Sequence, residues 1–324
     1  MHTTQTSKRI QVLKVFLIVL ISTNAVAQDP EKRWIEHIKG DVYYSHNRIE
    51  HIKGDGSIFN SIFMVTEEGI ILVDPIDVEA SKWLKNELKE RFDLPVRYIV
   101  YSHFHGDHAV GAEVFLDTVF EIYAQENTVT NIQNDNTWKY APWDQVKILP
   151  TKTYRGRTEI SLGTKKVELL DITASHTDDT TLVRFPDERI IFSVDVAPAG
   201  RVLWRYFGGF IVKDVNNFDL LLTDLETILA LDFDIIAPGH YVHFPKQAVR
   251  QTYDYSVDLC KRVAAEIKAG SNLSQILETV TMEDYSHLLK YDSYRAMNVE
   301  GMHYWLSQDA SNWRPRQCGE TRGL

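Results

Sequence analysis

Three histidines and an aspartate fall within the six residues His103-Phe104-His105-Gly106-Asp107-His108. Imidazole and carboxylate side chains together suit zinc, iron or manganese. Asp74, His176, Asp195 and His240 add the same chemistry at four separate places. A lone histidine is more often a core or surface residue than a ligand, and that reading is kept for His37, His46, His51, His287 and His303. It fails for the cluster, because so many ionisable groups at the end of a buried strand are costly to bury without a partner. A metal supplies one. Alternate residues of an extended segment share a side, so His103, His105 and Asp107 are expected to face one pocket, with His108 where a helix begins.

Each of these places stands at the end of an expected strand. Residues 58–74 alternate and then run apolar through Ile70-Ile71-Leu72-Val73, which predicts a hairpin whose second strand is buried on both faces. Strands are expected at 96–101, 119–124, 158–161, 166–172, 181–185, 189–194 and 233–237, and helices at 80–91, 126–134 and 218–231. From Lys246 to about Gln308 the pattern is helical, with a break at Gly270-Ser271-Asn272. IEHIKGD occurs twice, at 35–41 and 49–55, too short and too few for a repeat fold and therefore read as two similar strands. Interleaved strands and helices give an α/β or α+β class with helices covering sheet faces.

Residues 1–27 combine basic Lys8, Arg9 and Lys14, the apolar run Val15–Ile21 and the small-x-small site Ala25-Val26-Ala27. That order predicts a cleaved secretory signal rather than a membrane anchor, and a periplasmic or secreted protein. The signal carries three of the 35 basic residues and none of the 45 acidic ones, so the net charge of −10 becomes −13 from Gln28 onward. So acidic a chain disfavours nucleic acid as a partner. An oxidising compartment would permit a Cys260–Cys318 disulfide, but two cysteines say little; the bland reading is a buried thiol on a helix and a free thiol in a polar tail.

HFHGDH resembles the H-x-H-x-D-H signature of the metallo-β-lactamase superfamily. The order Asp74, HFHGDH, His176, Asp195, His240 is similar to its five motifs over roughly residues 40–245. The resemblance implies a four-layer αβ/βα sandwich with two zinc ions per chain at one edge of its two sheets. A catalytic domain would span 28–245, with 246–324 a helical extension packed on it. The resemblance further implies His103, His105 and His176 for a first metal, Asp107, His108 and His240 for a second, and Asp195 as the bridging carboxylate. Asp107 and Asp195 would be the catalytic carboxylates, and Asp74 a buried aspartate that holds a ligand. Ser175-His176-Thr177-Asp178-Asp179-Thr180 differs from the proline-glycine-histidine segment of the glyoxalase II and lactonase branches. It looks more like the true zinc β-lactamases, many of which carry cysteine or serine where Asp195 stands. His105 excludes the flavodiiron pattern, which has glutamate there.

Two divalent ions, two carboxylates and one hydroxide leave such a site about one positive charge, which favours a small-molecule substrate bearing a carboxylate. Trp138, Tyr140 and Trp143 form one aromatic loop and Trp204–Phe210, including Arg205 and Tyr206, another; they are read equally as a substrate lid or as packing against the C-terminal helices. Arg201 or Arg205 is a candidate partner for a substrate carboxylate, and Tyr241 and His243 are candidate oxyanion donors. Four functions remain open. The first is a dinuclear zinc hydrolase of a small ester, lactone or amide; the second is a periplasmic metallo-β-lactamase. The third is a mononuclear iron oxygenase of the same fold, and the fourth a non-catalytic metal binder, against which the full ligand set argues.

Overall fold

The computed structural model describes residues 32–48, 58–135, 147–172, 175–205, 217–308 and 318. The leader, the second IEHIKGD copy, Trp138–Trp143 and Tyr206–Phe210 lie outside the described residues.

The first sheet takes seven strands in sequence order: β1 (Arg33–Lys39), β2 (Val42–Arg48), β3 (Ile58–Thr66), β4 (Gly69–Val73), β5 (Val96–Val100), β6 (Glu121–Gln125) and β7 (Lys152–Tyr154). The second takes six: β8 (Arg157–Leu162), β9 (Lys165–Asp171), β10 (Thr181–Phe185), β11 (Ile190–Val194), β12 (Ile235–Pro238) and β13 (Phe244–Pro245), ordered β13-β12-β11-β10-β9-β8. Helices α1 (Val78–Phe92), α2 (Gly106–Ala109) and α3 (Asn127–Asn134) accompany the first sheet. Helices α4 (Asn217–Ala230), α5 (Gln247–Ala269), α6 (Leu273–Thr279) and α7 (Tyr291–Gln308) accompany the second.

Between the sheets lies one apolar layer, with Val42, Ile62, Met64, Ile71 and Val73 facing Leu169, Val183, Phe185, Ile190 and Phe192. The outer face of the first sheet packs Leu72 and Ile99 against Leu84 and Leu88 of α1 and Phe115. The outer face of the second packs Leu182 and Ile236 against Phe218, Leu225, Leu259 and Trp305 of α4, α5 and α7. The layer order is therefore helix, sheet, sheet, helix, an α/β sandwich. β4 runs parallel to β5, and β11 to β12. The C-terminal ends of each pair thus share an edge, and the turns that leave those ends carry the ionisable residues.

The first IEHIKGD copy lies in β1 over residues 35–39, as expected of a strand, and the second lies outside the described residues; the hairpin partner of β1 is the intervening segment 42–48, reached through Gly40 at φ 58°. The short β7 was not expected. The C-terminal helical run breaks not only at 270–272 but also between α6 and α7. The thiol reading is overturned as well: Cys260 of α5 and Cys318 form a disulfide.

Candidate metal centre

Asp74 follows β4 directly, Asp195 follows β11 directly, and His240 stands two residues beyond β12. Val194 turns the chain sharply at φ 44°, an outlier for a β-branched residue, and the strain is held by Gly239 N–H donating to its carbonyl at 2.8 Å. His103 and His105 lie in the loop after β5. Asp107 does not continue an extended segment, as alternation had suggested, but joins His108, expected at a helix start, in the first turn of α2, which begins at Gly106. Ile76 N–H donates to the His108 carbonyl at 2.9 Å and anchors that helix. Gly111 lets it approach, since a Cβ there would meet Ser81 Oγ at 2.3 Å and Asp77 O at 2.5 Å. His176 follows β9 in a turn and completes the group.

Three ring nitrogens converge. His103 Nε2 lies 2.8 Å from His105 Nδ1, and His176 Nε2 lies 3.2 Å from each of them. Ligands 2.0–2.1 Å from a tetrahedral zinc are separated by about 3.3 Å, so these nitrogens outline one face of such a tetrahedron. Asp195 Oδ2 lies 3.4 Å from His176 Nε2 and 3.5 Å from His108 Nε2, so one carboxylate oxygen reaches both halves of the site. In the second half His240 Nε2 is 3.2 Å from Asp195 Oδ1, and Asp107 Oδ2 is 3.7 Å from His108 Nε2 and 3.8 Å from His240 Nε2. The two groups, His103-His105-His176-Asp195 and Asp107-His108-Asp195-His240, each bring their ligand atoms within 4.8 Å of one another.

The residues present fit metal ions. Buried His108 Nε2 and Asp195 Oδ1 point into the site with no hydrogen-bonding partner, although orphaned buried polar atoms are rare. Each tautomer is also set from behind. Asp74 is fully buried and accepts from His108 Nδ1 at 2.9 Å, from Ser102 Oγ at 2.7 Å and from Ser102 N–H at 2.8 Å. Ser102 Oγ, having spent its proton on Asp74, accepts from His103 Nδ1 at 3.0 Å. His240 Nδ1 donates to the Ile58 carbonyl at 3.2 Å. Nε2 of all three rings is thereby left facing the site.

Burial lowers His103 well below the ordinary histidine range, lowers His105, and takes His176 down to about 3. Burial would lower His108 too, but the carboxylates of Asp107 and Asp195 raise it well above that range. Burial would raise Asp195, but His240 and His108 hold it well below the usual carboxylate range.

The structure thus brings together all seven residues expected as ligands and sets Asp74 behind them. Of the candidate substrate contacts, Tyr241 borders a cleft beside His240 and Asp195. Arg205 lies over the Trp204 ring, 4.9 Å from its centroid. His243 turns toward Glu36 of β1, 3.6 Å away. Trp138, Trp143 and Tyr206 lie outside the described residues. Sequence reasoning missed Ser102, whose only signal is its place directly before His103.

A family model for the metallo-beta-lactamase superfamily matches residues 55–240, more than half of the chain. The 2,4-dinitroanisole O-demethylase subunit alpha of Nocardioides sp. (strain JS1661) is 24% identical over 75% of this chain and 73% of its own length. A metallo-beta-lactamase type 2 of Elizabethkingia meningoseptica is 22% identical over 66% of this chain and 76% of its own. Among solved structures, a metallo-beta-lactamase from Pontibacter korlensis superimposes with a TM-score of 0.56 at 18% identity, covering 69% of this chain and 98% of that one. Motif order, layer order, converging ligand atoms and the family match agree: the chain belongs to the metallo-beta-lactamase superfamily.

Proposed function

We propose that the protein is a secreted dinuclear zinc hydrolase that cleaves a small ester, lactone or amide carrying an anionic group. The observation that carries this reading is the pair of ligand groups joined through the Asp195 carboxylate. Two zinc ions held there would bring the pKa of water near 7 and polarise a carbonyl. Asp195 would keep both halves of the site at a fixed spacing, and Asp107, with His108 and His240, would hold the second half open on the cleft side.

The anionic part of the substrate is read from that cleft. Its lining includes Asp195, Arg201, His240, Tyr241, Phe244 and Leu289. Arg201 lies 4.8 Å and Lys290 5.5 Å from the Tyr241 ring centroid, so two cations share one ring beside the second ligand group. Leu289, between α6 and α7, is tied to the loop after Asp195 by its N–H to Gly200 O at 3.0 Å and by Val202 N–H to its carbonyl at 3.1 Å. The C-terminal segment thereby supplies part of the wall.

A second reading, a periplasmic metallo-β-lactamase, is favoured by the same cationic wall, which suits a drug carboxylate, and by the similarity to the Elizabethkingia metallo-beta-lactamase. The disulfide supports an oxidising compartment for either. No helix among the described residues is long and apolar enough to cross a membrane.

The test is elemental analysis of protein purified without added metal, followed by turnover of nitrocefin, a homoserine lactone, a thioester, a phosphodiester and 2,4-dinitroanisole. About two zinc ions per chain and lactone, thioester or ester turnover are expected. Nitrocefin turnover selects the second reading. One tightly bound iron, with the second position empty after zinc addition, refutes both.

A further inference from the structure

Behind His240 lies a buried polar chain that the metal chemistry does not use. Glu36 Oε2 is 3.0 Å from His46 Nε2, His46 Nδ1 is 2.9 Å from Asn60 Oδ1, and Asn60 Nδ2 is 2.8 Å from the Tyr241 carbonyl and 3.2 Å from the Pro238 carbonyl. Pro238 and Tyr241 bracket Gly239-His240. Tyr44 closes the group: its hydroxyl donates to the Pro238 carbonyl and accepts from Asn60 Nδ2 at 2.8 Å. The start of β3 holds the same loop through its backbone, with Asn60 N–H to Gly239 O at 2.9 Å and Tyr241 N–H to Ile58 O at 3.1 Å.

The direction of these bonds fixes where protons sit. Both backbone carbonyls can only accept, so the Asn60 amide must turn its NH2 to them and its oxygen to His46. The flipped amide would set oxygen against oxygen at 2.8 Å. His46 Nδ1 must therefore carry hydrogen. Its other nitrogen faces the Glu36 carboxylate, another acceptor, so a neutral ring would press a lone pair against oxygen there. Glu36 is partly exposed, with 39% of its side chain accessible, whereas the His46 side chain is fully enclosed. The Trp34 ring stacks on His46 at 4.5 Å between centroids and 19° between planes, an arrangement suited to a cation. Burial holds His46 below the ordinary histidine range, and its bonds to Glu36 and Asn60 offset that only in part. The charged form stands against this penalty on the bond directions alone, since both ring nitrogens face acceptor oxygens.

We propose that Glu36 and His46 form a carboxylate–imidazolium pair which, through Asn60, fixes the position of His240 and so sets affinity at the second metal position. The three are positioning residues, and the proposal rests on reading His240 as a ligand. The amide of Glu36→Gln can donate to a neutral His46, so this variant keeps the chain of bonds while removing the need for a charge.

The test uses the full chain, with ring-nitrogen NMR of His46 and zinc affinities measured by chelator competition. In the wild type both His46 ring nitrogens should be protonated at neutral pH. His46→Leu and Asn60→Ala should weaken the second zinc about 10–100-fold and leave the first unchanged. Glu36→Gln should leave His46 protonated at Nδ1 alone and change zinc affinity by less than about three-fold. An unprotonated ring nitrogen in the wild type, or a doubly protonated ring in Glu36→Gln, overturns the pairing. Unchanged second-zinc affinity in folded His46→Leu and Asn60→Ala overturns the positioning role. A wild type that binds only one zinc would sink the dinuclear reading instead, while the ring-nitrogen spectra would still decide the pairing.

Discussion

At the residue scale, the ligands differ in what a metal must displace. Burial leaves His103, His105 and His176 without protons to lose at neutral pH. His108 is the opposite case, with Asp74 behind Nδ1 and Asp107 and Asp195 before Nε2 raising it well above the ordinary range. A zinc ion entering the second group must expel its Nε2 proton. Zinc titrations at pH 7 in two buffers of different ionisation enthalpy should show about one proton more released by the second ion than by the first, over and above whatever zinc-held water gives up. Equal release would mean that His108 is neutral in the metal-free chain. Asp195 gives the next expectation. Asp195→Ala leaves Asp107, His108 and His240 as the second group, so second-metal affinity and turnover should both fall steeply, turnover by at least about 100-fold. Two metals and full activity in that variant would reduce Asp195 to a strand-end residue. These seven positions were legible because imidazole and carboxylate announce themselves by type and clustering. Ser102, Asn60 and Tyr44 were not, because neutral polar residues acquire a role only from the partners that the fold brings. Asp107 was legible as a ligand candidate but not as a helical residue, since alternation describes a strand that stops at Val100.

At the element scale, one carboxylate ties three pieces of chain together. Asp74 sits at φ 56°, a left-handed conformation that aspartate tolerates, and from there reaches His108 on α2 and Ser102 beyond β5. Through Ser102 it also orients His103, so it serves both halves of the site. Asp74→Asn keeps the shape but replaces one acceptor oxygen with a donor, which must then face the Ser102 N–H or the His108 Nδ1–H. Both zinc affinities should fall, by about 10–100-fold each. Loss at the second position alone, measured by chelator competition, would show that the path through Ser102 carries nothing. Long, strongly patterned elements such as α1, β4 and α4 were legible within a few residues. The β1–β2 hairpin was not, because the first IEHIKGD copy marks a strand but not its partner, and segment 42–48 becomes that partner only through the Gly40-Asp41 turn. The break between α6 and α7 carries no glycine or proline. It rests on Met282 at φ 56° and Lys290 at φ 63°, conformations that no local residue preference foretells.

At the scale of the whole molecule, the site is a fold-stability liability that metal removes. Histidines with depressed folded-state pKa values bind protons more readily in the unfolded chain, so acid draws the equilibrium toward unfolding. The unfolded value lies near 6.5, and His176 in the folded chain lies at about 3. Its contribution is therefore fully present above about pH 6.5 and is lost as pH falls toward 3. His103 and His105 act in the same direction. Groups held above their ordinary values oppose them, Asp74 and Asp254 together with His108 and Asp179. His108, raised by its carboxylates, stabilises the fold at low pH and loses that contribution as pH rises through its folded value. Asp179, pushed up to about 6 by burial, favours the fold as pH falls from there toward 4. The depressed histidines of the site, buried most deeply, should outweigh these groups and make the metal-free protein less stable at pH 4.5 than at pH 7, by more than about 5 °C in Tm. Zinc-loaded protein should hold its Tm over the upper part of that interval, because bound metal occupies the lone pairs that acid would otherwise claim only on unfolding. Below some pH the two curves should merge as protons win the ligands. Thermal melts of metal-free and zinc-loaded protein across this range decide the matter. A metal-free Tm that is flat or rises toward pH 4.5 would mean that the histidines are not held neutral by burial, and that the site is wetter than its enclosed rings imply.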